Sequence, residues 1–427
     1  MYNSLEQSSV SYMNYQSHKF DKRILSWCLY DFANSSYSAV IAAVIFPVYF
    51  TTYIVGNETG LGDLWWGRAI SVSMAFVAIT SPFIGGIADY SGKRKSFLFI
   101  YTYISVFAVA SLSLIEKGMY FEGFILIVLA NIGMEGGLVF YNSYLPNIAV
   151  KEIQGRVSGW GFAIGYGGSI LSLIVSLLLI KQGSIFLVWL SVAIFFGLFA
   201  IPAFIYLPKD SCKKDSIVST AIRGFKDTIR TLKSVLRHKE QRRFLFAYLI
   251  YEDGVNTVIV FSSIFAATSL GFKTEELILL YLIVQVTALL GAFIMSKPID
   301  TWGPKKVVVL SLILWSFVSL SAYFVHSKTA FFIVACIAGT GLGTIQSASR
   351  AFFTQFVPLG KESEYFGLYA FTGKTSAIIG PLIFGHMSTL YGSQRPAILS
   401  VALLFILGLF VLSGVKAGYG KKDLMLN

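Results

Sequence analysis

The chain contains few charged residues and few residues that build cross-links or metal centres. Only 13% of its 427 residues are charged and 55% are hydrophobic, whereas soluble domains carry about 25% charged residues. The composition therefore predicts an integral membrane protein. Cys28, Cys212 and Cys336 are an odd set without plausible extracellular partners, which argues against a disulfide framework. The four histidines stand singly, so we expect no metal site.

Motifs typical of enzymes are also missing from the sequence. No nucleophile–base pair is visible, and we expect neither an enzyme nor a cofactor. The stretch Gly367–Thr375 ends in Gly-Lys-Thr, as phosphate-binding loops do. Its spacing is one residue too long, however, and the segment is apolar enough to be a membrane helix.

In a membrane protein, the positive charges behind the net charge of +12 indicate how the chain is oriented across the membrane. Lysines and arginines collect in the loops on one side of the expected membrane, which predicts that both termini and the central loop are cytosolic. The charge therefore does not indicate nucleic-acid binding. Residues 1–20 lack the pattern of a signal peptide, and we expect them to form a disordered cytosolic tail.

Long hydrophobic runs divide the chain into two halves. A hydrocarbon core about 30 Å thick needs roughly 20 helical residues, and on that measure we count twelve spans. The expected spans are 26–55, 66–88, 96–115, 122–148, 158–180, 184–207, 243–270, 276–298, 306–326, 329–357, 364–389 and 394–415. The expected regions are a cytosolic tail 1–23, a six-helix bundle 24–207, a linker 208–242, a second six-helix bundle 243–415 and a cytosolic tail 416–427.

Three landmarks recur in the same order in both halves, which indicates a duplication. Asp31 and Asn34 open the first span, as Asp253 and Asn256 open the seventh. The loops GGIADYSGKRK and KPIDTWGPKK follow the second and eighth spans. The third landmark is the spacing of Pro146, Gly155 and Gly168, which matches that of Pro358, Gly367 and Gly380.

The linker contains a basic amphipathic helix. Val218, Ile222, Phe225, Ile229, Leu232 and Leu236 recur at helical spacing, and five basic residues fall on other faces. Such a helix is typical of a membrane surface. Two interpretations remain open: a lipid sensor or regulatory latch, and a plain connector that packs under the two halves.

The loop GGIADYSGKRK, after the second span, resembles the hallmark motif of the major facilitator superfamily, Gly-x-x-x-Asp-x-x-Gly-basic-basic. The match comprises Gly85, Asp89, Gly92, Lys93 and Arg94, and the second loop offers Asp300 and Gly303. Segments such as WCLYDFANSSYSAV, YNSYLPNIAVKEIQGRVSGWG and QSASRAFFTQFVPLG resemble the vacuole effluxer-like family of that superfamily. The resemblance extends over residues 24–415, and the short loops are similar to those of bacterial members.

This resemblance implies an all-α protein of twelve transmembrane helices in two pseudo-symmetric six-helix bundles. It implies that spans 1, 4, 7 and 10 line a cavity, that 2, 5, 8 and 11 form the seam, and that the loop aspartates Asp89 and Asp300 gate rather than bind. Fungal members are thought to export amino acids from the vacuole. One departure is Lys374, where the family pattern suggests an arginine, which weakens bidentate recognition of a carboxylate.

Buried ionisable residues fall on the spans that the resemblance places at the cavity or the seam. A charge inside a membrane needs a partner or water, so these positions are candidate binding sites. Glu135, deep in span 4, is the candidate for proton coupling or for binding a substrate amine; the alternative is a fixed pair with Arg350 or Lys374. For Asp31 and Asp253 the alternatives are helix capping and an aspartate at the membrane interface. The candidate substrate or proton sites are Asp31, Asn34, Tyr37, Glu135, Tyr141, Asn142, Glu252, Asp253, Asn256, Arg350 and Lys374.

The sequence thus predicts a secondary active transporter of small polar solutes, amino acids above all, with protons as candidate coupling ions. Bases facing carboxylates suit a zwitterion. The alternatives are an exporter of amphiphilic or drug-like compounds and a non-transporting receptor or scaffold. We expect a monomer in the bilayer, in a bacterial inner membrane, with a small-molecule substrate and without nucleic acid.

Overall fold

The computed structural model describes residues 21–56, 61–210, 217–377 and 394–416, together with 383–384, 386–387 and 390–391. Within these residues, eleven helices are long and apolar enough to cross a membrane. The expected eleventh span, 364–389, is not among these eleven helices; it begins as a helix at Glu362 and continues into residues outside the described ranges. The chain is an all-α membrane protein with the expected arrangement of two six-helix bundles.

The helices follow the hydrophobic runs closely. We number the membrane helices α1 to α12 and name the helix between the halves the linker helix. Their bounds are α1 Lys22–Val55, α2 Leu61–Ser91, α3 Arg94–Ser111, α4 Tyr120–Ser143, α5 Gln154–Lys181, α6 Ile185–Tyr206, linker helix Ile217–Arg237, α7 Lys239–Leu270, α8 Thr274–Thr301, α9 Pro304–Phe324, α10 Lys328–Thr354, α11 Glu362–Ser376 and α12 Gln394–Ser413. Helix α7 begins four residues before the expected boundary at 243.

Local signals explain several of these ends. The Asp21 side chain accepts a hydrogen bond from the Arg23 backbone and caps the start of α1. The Ser327 side chain caps α10 in the same way. Helix α7 ends at Gly271, whose φ of 68° is a left-handed conformation that glycine adopts without a steric cost.

Helix α1 is not regular throughout. It is α-helical from Lys22 to Ser36 and then π-helical over Tyr37–Val44 and Tyr49–Val55, on either side of Pro47. A π-helical turn widens the helix and is frequent at functional sites. The irregular part begins just beyond Asn34, which lines the cavity described below.

Each half has its own hydrophobic core, and the halves meet along two seams. Helix α2 packs on α11, and α5 packs on α8. Glycines allow the close approach: a Cβ on Gly85 would overlap the backbone of Ser363, and one on Gly159 would lie 2.5 Å from the Ser296 Cβ. Such stripes of small residues are how membrane helices bring their backbones together.

The two loop motifs turn at equivalent glycines and lie at the same end of the molecule. Gly92 has φ of 63° and Gly303 has φ of 90°, so both turns use a conformation that other residues rarely adopt. We call this end of the bundle, which carries Asp89 and Asp300, the motif end.

The linker helix lies against α2 near the motif end. The Phe225 ring stacks on Phe83 at 4.7 Å, and the Thr228 hydroxyl lies 3.3 Å from the carbonyl oxygen of Pro82. The side chains that face the protein are not those of the apolar stripe expected from the sequence: Gly224, Thr228 and Val235 are buried, whereas Phe225 is largely exposed. The side chains of Val218 and Ile222 lie outside the described residues, as do Cys212 and Gly380.

Candidate functional site

A cavity of about 360 Å³ lies between the two halves. Helices α1, α4 and α5 line it on one side, and α7, α8, α10 and α11 line it on the other. Eight of the eleven candidate residues lie in its wall: Asp31, Asn34, Glu135, Asn142, Glu252, Asn256, Arg350 and Lys374. The cavity thus collects side chains from helices that are distant in the sequence.

Arg350 forms one end of the cavity and reaches from α10 into the first half. Its guanidinium donates from Nε to the Ser158 hydroxyl (2.9 Å), from Nη2 to the Ser158 carbonyl (2.7 Å) and from Nη1 to Asn142 (3.1 Å). It also lies 3.7 Å from the Asp31 carboxylate. Every nitrogen of the guanidinium has a partner, so Arg350 holds the two halves together at this level.

Aromatic rings surround the same guanidinium. Its carbon lies 4.0 Å from the centre of the Phe162 ring and 4.6 Å from that of Trp27. Trp27 stacks on Tyr141 at 4.5 Å and donates its indole N–H to the Tyr141 carbonyl. A planar cation between aromatic faces is stabilised by the ring quadrupoles. Tyr141 therefore belongs to the aromatic surroundings of Arg350 and is not among the residues that line the cavity.

A second ion pair spans the cavity. The Lys374 ammonium on α11 lies 2.6 Å from the Glu135 carboxylate on α4. Of the two partners that we considered for Glu135, the structure shows Lys374. Both side chains keep some exposure to the cavity, with 12% for Glu135 and 25% for Lys374, so a solute in the cavity can reach them.

Glu252 has a different environment from the other two carboxylates in the wall. It is buried on α7 and accepts a hydrogen bond from the Gln346 amide at 2.9 Å. Among the described residues, no lysine or arginine lies within ion-pair distance of it. The wall holds three carboxylates and two bases. Arg350 pairs with Asp31 and Lys374 pairs with Glu135, so Glu252 is the carboxylate in neither ion pair.

The other candidates lie away from the cavity wall or form local bonds. Tyr37 donates to Asn131 at 3.4 Å inside the first half. Asp253 is buried but is not among the lining residues, as its place about 100° around α7 from Glu252 leads us to expect. Asn256 lines the cavity and donates to the Ser376 hydroxyl at 3.2 Å.

Sequence reasoning missed several polar lining residues. Gln346 stands one helical turn before Arg350 on α10, and that spacing was a usable signal because residues four apart share a face. Gln285 and Tyr248 gave no comparable signal. The tyrosines in the wall are Tyr166, Tyr248, Tyr281 and Tyr369.

Contacts between carboxylates and helix starts close the motif end. Asp89 accepts hydrogen bonds from the backbone N–H groups of Ser363 (3.1 Å) and Glu364 (2.8 Å) at the start of α11. Asp300 accepts two contacts of 3.1 Å from the backbone N–H of Arg156 at the start of α5. Each loop aspartate therefore joins one half to the other, at the positive end of a helix.

A cluster around Arg94 reinforces this closure. Arg94 contacts Asp210 at 3.0 Å, Asn147 at 2.8 Å and Glu362, on the other half, at 3.5 Å. Asn147 also donates to Glu362 at 3.1 Å. Apart from the contacts at the cavity, the polar contacts between halves that the structure describes lie at this end.

The chain can now be compared with known proteins. Residues 68–425 match the family model described as vacuole effluxer Atg22 like. The chain is 30% identical over 411 residues to the MFS-type transporter YxiO of Bacillus subtilis, covering 93% of this chain and 95% of that protein. The chain belongs to the vacuole effluxer Atg22-like family.

This Atg22-like chain is also similar to a fungal protein, with 23% identity over 463 residues to autophagy-related protein 22-1 of Penicillium rubens, covering 87% of this chain and 78% of that one. Its fold matches solved transporters of the superfamily. The human organic anion transporter MFSD10 superposes with a TM-score of 0.76 at 12% identity, over 92% of this chain and 99% of that one. The transporter FucP in its outward conformation superposes with a TM-score of 0.73 at 13% identity, over 92% and 99%.

The family and fold that the sequence led us to expect are confirmed. The Atg22-like chain is a multi-pass membrane protein and an MFS-type transporter rather than an enzyme.

Proposed function

We propose that this chain is a secondary transporter of small zwitterions, amino acids first among them, that works by alternating access. The observation that carries the proposal is the cavity between the halves, whose wall combines three carboxylates with two bases. Amino acids are the substrate class that the family resemblance implies. A volume of about 360 Å³ is at the small end of ligand pockets and suits a small molecule.

The pairing of the charges supports a separate role for each of them. Arg350 is engaged on all sides, so Lys374 is the base that can turn to a substrate carboxylate. A substrate amine then binds Glu252, which has an amide partner and, among the described residues, no lysine or arginine within ion-pair distance. When Lys374 turns to the substrate, Glu135 loses its counter-ion and becomes the site for a coupled proton.

The closed motif end defines the state of the transporter. The Asp89 and Asp300 contacts join the halves there, so the substrate enters from the opposite end in this state. Rocking of the halves separates these contacts and exposes the cavity at the motif end. We propose that the motif end and both termini face the cytosol of a bacterial inner membrane, which the charges on the loops support, and that the transporter acts as a monomer.

Counterflow in proteoliposomes tests the proposal. Purified protein is reconstituted with an unlabelled amino-acid mixture inside, and labelled amino acids are added outside, with and without an inward proton gradient. We expect accumulation of label, stimulated by the gradient, and its loss in Glu252→Gln and Glu135→Gln. The matched control is Glu122→Gln, because Glu122 is an exposed carboxylate in the first turn of α4.

The outcomes separate the candidate functions. Counterflow that ignores pH contradicts proton coupling and leaves facilitated exchange. Counterflow of amphiphilic cations without amino acids supports the drug-like exporter, which the two bases in the wall disfavour. Binding of amino acids without counterflow supports the receptor.

A further inference from the structure

The linker helix presents three distinct faces. At 100° per residue, Gly224, Thr228, Thr231 and Val235 fall on one face, and all four are buried against the membrane helices. A Cβ on Gly224 would lie 2.9 Å from the Cα of Ile87, so this face is built for close contact with α2. The protein-facing side of the helix is thus made of small and hydroxyl-bearing residues.

The apolar face lies about 100° further around the helix and has no protein partner over most of its surface. Phe225, Ile229, Leu232 and Leu236 repeat at intervals of four, three and four residues and are 36–52% exposed. Phe225 stacks on Phe83, and one turn further along α2 Ile79 is 63% exposed. The apolar face therefore continues the surface that α2 presents to the hydrocarbon region of the bilayer.

The third face is basic and points away from the protein. Lys226, Arg230, Lys233 and Arg237 are exposed and share a stripe about 100° from the apolar row. Arg230 has an acidic neighbour, Asp227 at 3.4 Å, but an ion pair between such exposed side chains contributes little to stability. A row of bases next to an apolar row at the end of a membrane span matches the interface between acyl chains and anionic headgroups.

We propose that the linker helix is a binding surface for anionic phospholipid, with its apolar row among the acyl chains and its four bases on the headgroup phosphates. The buried face gives this binding a consequence for the gate. Thr228 lies beside the Pro82 carbonyl in the first half, and the Lys361 ammonium donates to Thr231 from the start of α11 in the second half, at 2.7 Å.

A helix that touches both halves at the closed motif end is positioned as a brace. Lys361 precedes Ser363 and Glu364, whose N–H groups bind Asp89. Lipid that holds the linker helix in place therefore favours the closed motif end, and by linkage closure favours lipid binding. Anionic lipid becomes a regulator of the transporter that acts outside the substrate cavity.

Lipid binding to the full-length protein in detergent tests the first step. We would titrate fluorescent phosphatidylglycerol and phosphatidylcholine into the wild type, into a triple variant Lys226→Gln, Arg230→Gln and Lys233→Gln, and into a control variant Lys117→Gln, Lys181→Gln and Lys273→Gln. The control removes the same charge from exposed lysines of the other loops. We expect phosphatidylglycerol affinity to fall about fivefold for each base removed from the linker helix, and to change little in the control. Equal losses in the two variants would overturn the proposal, as would equal binding of the two lipids by the wild type.

Hydrogen exchange in nanodiscs tests the link to the gate. We expect the amides of residues 363 and 364 to exchange more slowly in discs with phosphatidylglycerol than in discs of phosphatidylcholine alone, and the difference to vanish in the linker-helix triple variant. Exchange rates that do not depend on the lipid would contradict the proposed coupling between lipid binding and closure of the motif end.

The position of the apolar row can be measured separately from the charges. A nitroxide at Leu232→Cys, with the native cysteines replaced by serine, should be accessible to oxygen and shielded from a water-soluble relaxer. Since this label leaves the bases intact, it remains informative if the triple variant folds poorly. A water-exposed label would overturn membrane insertion of the helix.

Discussion

Arg350 shows how a single side chain can join the two halves of the molecule. Its bonds to Ser158 and Asn142 and its stacking on Phe162 are all contacts with the other half. A planar guanidinium supports these contacts together, whereas an ammonium supports the charge alone. The residue is therefore part of the closed state as much as of the cavity.

We predict that Arg350→Lys destabilises the protein by about 2 kcal/mol, because two hydrogen bonds from a charged group are lost and a positive charge remains. Thermal unfolding in detergent measures the change, and counterflow should fall along with it. The control is Arg395→Lys on α12, an arginine that donates to the Tyr323 carbonyl within the second half. An equal effect in the two variants would mean that the bonds between halves have no special role.

The pair of Glu135 and Lys374 allows a sharper test. We predict that Glu135→Gln lowers stability by about 1 kcal/mol, a modest loss because both groups retain some exposure to the cavity. The double variant Glu135→Gln with Lys374→Met should recover that stability and still fail in counterflow. A double variant that transports at the wild-type rate would show that the pair is only structural.

The seam between α2 and α11 depends on its glycines. We predict that Gly85→Ala prevents closure of the motif end, because the added Cβ would overlap the Ser363 carbonyl. Alanine in a helix interior is otherwise favourable by about 1 kcal/mol over glycine, so a loss of activity cannot come from the helix itself. The rate of counterflow should fall at least about tenfold, which corresponds to an increase of about 1.4 kcal/mol in the activation free energy.

Gly67→Ala is the matched control for this substitution. Gly67 lies on the same helix, and a Cβ there would meet no atom within 4 Å. We expect it to leave counterflow unchanged. Comparable losses in the two variants would contradict the role of the seam.

The sequence predicted which helices form. It was less informative about which face of a helix packs on the protein and which meets lipid. Hydrophobic runs predicted the membrane helices, and the spacing of Asp89 and Asp300 predicted equivalent loops. The stripe that contains Phe225 and Leu232 was identified correctly as apolar, yet periodicity cannot distinguish a face that meets protein from one that meets lipid. In a membrane, small residues such as Gly224 mark the protein side.

The same limit applies to the candidate site. Residue type and depth identified Glu135, Glu252, Arg350 and Lys374, because a charged side chain inside a membrane needs a partner or water. Which base meets which acid depends on how two distant halves pack, and no local pattern carries that information. The structure therefore adds the pairing, and with it the separate position of Glu252.

At the scale of the whole molecule, we propose that the two loop aspartates act as separate closures on two different seams. We predict that Asp89→Asn speeds exchange at residues 363 and 364, and that Asp300→Asn does so at residue 156, because an amide side chain accepts these N–H bonds without a charge. Each variant should shift the ratio of closed to open states by about tenfold, and the double variant by about the product, since the sites share no partner. Hydrogen exchange measures both, and a double variant no more open than either single one would contradict separate closures.

Both closures have main-chain donors on one side and a side chain on the other. The groups that bind Asp89 and Asp300 are the N–H groups of residues 363, 364 and 156, which every amino acid except proline possesses. Any residue other than proline at those positions keeps the donor, although Ser363 and Glu364 are buried and the Arg156 guanidinium also lies 3.7 Å from the Asp300 carboxylate. All three positions lie in the first turn of a helix, where proline is tolerated, so a single proline there would remove a donor while the aspartate stays unchanged.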